Sequence, residues 1–247
     1  MLNDRRALEV PRLAATVMLV RDLMPRGIEV YVVRRSARSA FMPDAYVFPG
    51  GALDAADAEP QAVARLDSVP AGVPAEFAVA AIRELFEEAG VLLARRTDGA
   101  QFAHDDVVEA RASLEREGFD ATIERLQLSL SGSALSYYSR WITPPVETTR
   151  RFDTRFFVAR APEGQLASAD AVETHDGLWI APATALGRGD RDEIVLVFPT
   201  RKHLERLAEF DTVAELVEHS RARTPGPIMP DVDADGTISL PPELQGW

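Results

Sequence analysis

The stretch from Ala78 to Val91 constrains this chain more than any other. At 100° per residue, Ala78, Ile82, Leu85 and Ala89 fall on one narrow apolar stripe, the spacing of a helix packed on a core. Gly90 follows the last periodic residue, where a left-handed C-terminal cap is expected. Glu84, Glu87 and Glu88 gather on the face opposite the stripe, at spacings where like charges repel by a few tenths of a kcal/mol per pair. Glu87 and Glu88 also sit at the negative end of the helix dipole, at a cost of roughly 0.3–1 kcal/mol each. A helix selected for stability alone would carry Lys or Arg there. Three carboxylates in that place require a cation, and hard oxygen donors suit Mg²⁺ or Mn²⁺.

About thirty residues upstream stands Phe48-Pro49-Gly50-Gly51, a glycine turn after an apolar segment. Arg83 to Val91 reads R-E-L-F-E-E-A-G-V, which fills R-E-U-x-E-E-x-G-U at every position. On these residues the chain resembles a Nudix hydrolase. The first half of the Nudix box departs from the pattern. The family places an acid six residues after the second glycine and the arginine eight further on. Here the acid position holds Asp57, and Arg83 lies 26 positions beyond it, an excess of 18. Arg65 keeps the spacing of eight but is followed by Leu66-Asp67, which makes it a decoy. The insert of residues 58–75 carries Pro60, Pro70 and Pro74 and reads as a surface excursion. Either Asp57 or Glu76 is placed to hold Arg83, and the sequence does not choose between them.

Composition narrows the function classes. The chain has 247 residues and 46% hydrophobic content, enough to bury a sizeable core. It contains no cysteine, so a disulfide framework, a thiolate zinc site and a cysteine nucleophile are excluded. No apolar run reaches the roughly 18 residues of a membrane span, and no signal-peptide core is evident, so a cytoplasmic protein is expected. The net charge of −12 argues against a nucleic-acid groove. A phosphate-bearing substrate would then need local arginines and a metal to attract it.

Along the chain, Leu13 to Val20 and Ile28 to Val33 form an expected hairpin around Met24-Pro25-Arg26-Gly27, and Ala45 to Phe48 a third strand. Arg35-Ser36 ahead of the Gly-Gly turn is similar to part of the coenzyme A signature, although Ala40 and Asp44 stand where it places Arg and Gly. The insert and Phe41-Met42-Pro43 are more similar to the branch of the mammalian organellar coenzyme A diphosphatases. From Leu92 to Ser139 the chain reads as helical and accessory, with helices over 106–117 and 121–130. A buried strand follows through Phe152 to Val158, with Arg150, Arg151 and Arg155 as candidate phosphate contacts. Thr200 to Arg223 reads as two short helices capped by Thr200 and by Asp211-Thr212. Their five basic residues are balanced by five acidic ones, which leaves no footprint for DNA. Asp231-x-Asp233-x-Asp235-Gly236 mimics a calcium loop, but Pro242 occupies the twelfth position, so a tight turn is expected.

The resemblance implies an α+β fold, the Nudix α/β/α sandwich with a mixed sheet and extra helices. The domain would run over 10–223, with the insert at 58–75 and accessory helices within 100–132, before a Pro-rich tail at 224–247. It implies a metal-dependent diphosphatase acting on a nucleoside diphosphate linked to another moiety, most specifically coenzyme A or acyl-coenzyme A. The alternatives are an ADP-ribose or dinucleotide pyrophosphatase, and a non-catalytic binder of nucleotide metabolites. Glu84, Glu87 and Glu88 would hold Mg²⁺ or Mn²⁺, Arg83 would orient the loop, and Glu84 or Glu173 would act as base. Arg35, Gly50, Gly51 and Arg151 would meet the substrate. The partner is then a small molecule, with neither nucleic acid nor membrane, and a homodimer is the possible assembly.

Overall fold

The computed structural model describes residues 10–37, 42–98, 102, 104–146, 150–169 and 174–247. Its first strands are β1 (Arg12–Asp22), β2 (Ile28–Arg35), β3 (Ala45–Val47) and β4 (Gly50–Ala52). A 3-10 turn at Ala55–Ala58 leads to α1 (Pro60–Val63) and the glutamate-bearing α2 (Ala75–Ala89). Then come β5 (Ala94–Arg96), α3 (His104–Glu117), α4 (Phe119–Arg125), β6 (Leu128–Leu130), β7 (Leu135–Ile142), β8 (Phe152–Arg160) and β9 (Thr174–Ile180). The rest comprises α5 (Pro182–Asp190), β10 (Val195–Leu196), α6 (Phe198–Leu207), α7 (Val213–Arg221), β11 (Pro227–Ile228), β12 (Asp231–Val232) and β13 (Ile238–Ser239).

The central sheet runs β10-β3-β2-β1-β8-β7-β11, with β4 on β1 and β9 on β2. It is mixed: β1 lies parallel to β8 over nine residue pairs and antiparallel to β2 and β4. Alternation along each strand feeds two cores, as the period of two requires. Ala15, Val17, Leu19, Tyr31, Val33, Phe157 and Ala159 face α2, whereas Met18, Val20, Val30, Val32, Phe156 and Val158 face α6 and α7. Helices on both faces of a mixed sheet make the expected sandwich.

The expected hairpin and third strand form. Several expectations need correction. The insert is anchored as well as exposed: Ala62 and Val73 are buried in the α2 core, and Leu66 bridges Leu130 in parallel register. The helix expected over 121–130 stops at Arg125, because Leu128–Leu130 pairs with Ala94–Arg96 as a two-stranded sheet. The accessory reading to Ser139 also overran β7, a full strand of the central sheet. Thr200 does not cap α6, which starts at Phe198 with Pro199 in its first turn and Val197 as cap. Thr212 does cap α7, in a reciprocal box with Glu215.

The second core holds a buried histidine. His203 Nδ1 lies 2.7 Å from the Pro199 carbonyl, which can only accept, so Nδ1 carries the proton and Nε2 accepts from Ser139 Oγ at 2.7 Å. Phe156 stacks on the ring, and Trp247 closes edge-on over it. The C-terminal segment is thus bound into this core, where Ile228 is also buried. The Asp235-Gly236 turn forms between β12 and β13, with Thr237 N donating to Asp235 Oδ1 at 3.0 Å. No described helix is long and apolar enough to cross a membrane.

Candidate active site

The face of α2 opposite its apolar stripe is largely covered, although the Glu87 side chain stays 37% exposed. Phe77 through Arg83 are all buried, because β4, the Ala55–Ala58 turn and the insert close over that side. Arg83 lies at the centre of what they enclose. Its Nε and one Nη2 hydrogen bond go to Asp57, both at 2.9 Å, and Nη2 also donates to Ala52 O at 3.1 Å. Nη1 donates to Glu84 at 2.8 Å and Glu87 at 3.0 Å. All five guanidinium N–H donors are therefore used. Asp57, 2% exposed, additionally accepts from Asp54 N at 2.8 Å. The acid that holds Arg83 is Asp57; Glu76 is not among its partners. The 18 extra residues loop out between two positions that still meet.

Four carboxylates (Asp54, Asp57, Glu84 and Glu87) lie within 3.9 Å of this one guanidinium. Glu88 accepts from Gly50 N at 2.9 Å. Burial pushes the Glu84 carboxyl up to about 7 against the pull of Arg83, and burial raises Glu87 as well. Burial also works against the charge of Arg83, but the Asp57 bonds and the neighbouring carboxylates hold it above its ordinary value. The site is an acidic cluster with a single internal cation, and its carboxylates are incompletely neutralised.

The two glycines of the turn have separate reasons. A Cβ on Gly51 would fall 2.5 Å from the Glu84 carboxylate, and one on Gly50 2.5 Å from Ala15 O. Gly90 caps α2 at φ +61°, as expected. Asp44 stands where the coenzyme A signature places glycine, and it keeps a left-handed backbone at φ +61°. Its carboxylate accepts from Arg34 Nη2 at 2.7 Å.

The expected phosphate contacts do not converge. Arg151 is buried, with Nε and Nη2 both donating to Thr143 O at 3.1 Å, so its guanidinium ties the start of β8 to the end of β7. Arg155 pairs with Asp153 at 2.7 Å and lies over the Phe77 ring, while Arg150 is exposed. Arg35 ends β2 opposite Thr174. Glu173 and the His175 side chain lie outside the described residues. Sequence reasoning missed Asp54 and the Ala52 carbonyl as neighbours of Arg83; only the nearness of Asp54 to Asp57 could have signalled either.

The carboxylates suit a divalent cation by their chemistry: they are hard oxygen donors in excess over positive charge, and burial raises two of them, Glu84 and Glu87. Among the described residues no three His, Asp or Glu side chains converge as a finished cage. Glu84 and Glu87 close on Arg83 Nη1, and Glu88 turns toward Gly50.

Residues 61–207 match the NUDT19 Nudix domain. The chain belongs to the NUDT19 Nudix family. It is 30% identical to the acyl-coenzyme A diphosphatase NUDT19 of Gallus gallus, over 81% of this chain and 66% of that protein. Against the protein of the same name from Homo sapiens it is 30% identical, over 77% of this chain and 63% of that one. The chain thus spans 61–66% of the length of these curated relatives. The crystal structure of a NUDIX hydrolase from Alicyclobacillus acidocaldarius superposes with a TM-score of 0.74 at 30% identity, covering 86% of this chain and 97% of that one. The Nudix sandwich expected from the box is the fold this member of the family adopts.

Proposed function

We propose that the chain is a divalent-metal-dependent diphosphatase that cleaves coenzyme A or an acyl-coenzyme A at its diphosphate. The observation that carries this reading is the acidic cluster around Arg83, together with a family whose relatives bear the name acyl-coenzyme A diphosphatase. Glu84, Glu87 and Glu88 would hold Mg²⁺ or Mn²⁺. A cation there supplies charge neutralisation for the diphosphate and lowers the pKa of a bound water. The chain's own residues do the rest. Arg83, fixed by Asp57, sets the spacing of Glu84 and Glu87. Glu84, buried beside Arg83, or Glu173 would take the proton from the attacking water. As the water oxygen bonds to phosphorus, the diphosphate P–O bond breaks and the leaving phosphate carries the electron pair. Gly51 leaves the Glu84 carboxylate room beside the turn. Arg35 remains a candidate for a substrate phosphate.

The test is a turnover assay with Mg²⁺ or Mn²⁺ against coenzyme A, its 3′-dephospho form and ADP-ribose. Coenzyme A should yield phosphopantetheine and 3′,5′-ADP with the highest kcat/KM. Faster cleavage of ADP-ribose would transfer the assignment to a dinucleotide-type pyrophosphatase, and failure to cleave any of the three would reject the diphosphatase.

A further inference from the structure

The last turn of α2 contains no basic residue, although it holds Glu87 and Glu88. A cation reaches that turn from another element. Arg111 of α3 lies so close to Gly90 that a Cβ there would fall 2.0 Å from its Cζ. The guanidinium donates from Nη1 to Ser168 Oγ at 2.7 Å and from Nη2 to Ser168 O at 3.0 Å. Ser168 N in turn donates to the carbonyl of Ala89, the last residue of α2, at 3.0 Å. Three residues earlier, Gln165 exchanges two hydrogen bonds with the backbone of Leu92, at 2.9 and 3.0 Å. Val107 and Ala110 are buried and fix α3 on the same core as α2. Five hydrogen bonds thus join an accessory helix, the 161–169 loop and the C-terminal end of the glutamate helix.

We infer that Arg111 is a positioning residue for the acidic site, holding the α2 turn that presents Glu87 and Glu88 through Gly90 and Ser168. The inference rests on the proposed diphosphatase reading. It gives the accessory helix α3 a task beyond covering the core, and a Cβ at Gly90 would displace the Arg111 guanidinium from this position.

The decisive measurement is Mn²⁺ affinity, read by titration of free Mn²⁺ well below the unfolding temperature. Charge alone predicts that Arg111→Ala leaves cation binding unchanged or tighter, since a positive group beside Gly90 is lost. Positioning predicts the opposite: a 10–100-fold weaker Kd, the usual scale for residues that orient metal ligands, with kcat falling and KM nearly constant. Arg111→Lys keeps the charge but not the two-point hold on Ser168, and should recover only part of the loss. If Arg111→Ala does not fold, Ser168→Ala removes the Oγ acceptor alone and should still weaken Mn²⁺ several-fold. An unchanged or tighter Mn²⁺ Kd in folded variants, beside an active wild type, overturns the inference and leaves the diphosphatase standing. A wild type that neither binds Mn²⁺ nor cleaves diphosphates overturns both.

Discussion

Asp57→Ala tests whether the split Nudix box is held together by a buried ion pair. The substitution removes the acceptor of two Arg83 hydrogen bonds and one from Asp54 N. Removing one partner of a buried pair costs roughly 3–5 kcal/mol, mostly for the charge left without compensation. Arg83 is 9% exposed at its side chain, so water replaces little. It does keep Glu84 and Glu87 on Nη1, which favours the low end, about 3 kcal/mol. For a chain of this size each kcal/mol moves Tm by roughly 2–4 °C, so a fall of about 6–12 °C is expected. Denaturant unfolding of wild type, Asp57→Ala, Arg83→Met and the double variant gives the coupling directly, expected at about 2–3 kcal/mol. Glu76→Ala should stay within about 0.5 kcal/mol of wild type, as a surface change does. The reasoning would be refuted if Asp57→Ala cost under about 1 kcal/mol, or if Glu76→Ala cost as much as Asp57→Ala.

Two further outcomes are expected. Glu87→Gln and Glu88→Gln should each lower kcat by at least about 10²-fold, the scale of losing a preorganised charge group, while metal-free stability holds or rises; wild-type turnover in both would remove the acidic cluster from the mechanism. Metal-free stability should depend on pH through two opposed groups. Glu84, raised by burial from 4.5 to about 7, keeps a proton that the unfolded chain releases, so its contribution is present below pH 4.5 and lost as pH rises through 7. His203, lowered by burial from 6.5 to about 3, contributes above pH 6.5 and loses that contribution as pH falls toward 3. Each proton is worth at most about 1.4 kcal/mol per pH unit, so between pH 4.5 and 6.5 the two nearly cancel, and Glu84→Gln should unmask stability that rises with pH. Unfolding curves with the same pH slope in wild type and Glu84→Gln would contradict this.

What the sequence disclosed and what it withheld divide along local and non-local lines. The α2 stripe, the Gly90 cap, the β1–β2 hairpin and the Thr212 cap are each written within about fifteen residues, where period and capping chemistry suffice. Leu128–Leu130 is also only three residues long, and its strand character comes from Ala94–Arg96 and the Leu66 bridge, neither visible in its own spacing. Helical periodicity was the only local signal there, and it misled. The same limit governed the site. The motif identified which carboxylates matter, but the cover over their face is built from β4 and an insert that no local pattern ties to α2. The choice between Asp57 and Glu76 depended on a loop closing over 26 positions, which geometry alone decides. Arg111 had no signal at all, since a basic residue twenty-one positions beyond a C-cap glycine belongs to no pattern. The penalty of acids at the wrong end of a helix was nevertheless legible from the start. It implied that positive charge had to come from somewhere, and the fold supplies it twice from within, by Arg83 inside the cluster and Arg111 at the helix end. Neither guanidinium can neutralise Glu84, Glu87 and Glu88 together, and that remaining imbalance is the physical argument for a divalent cation.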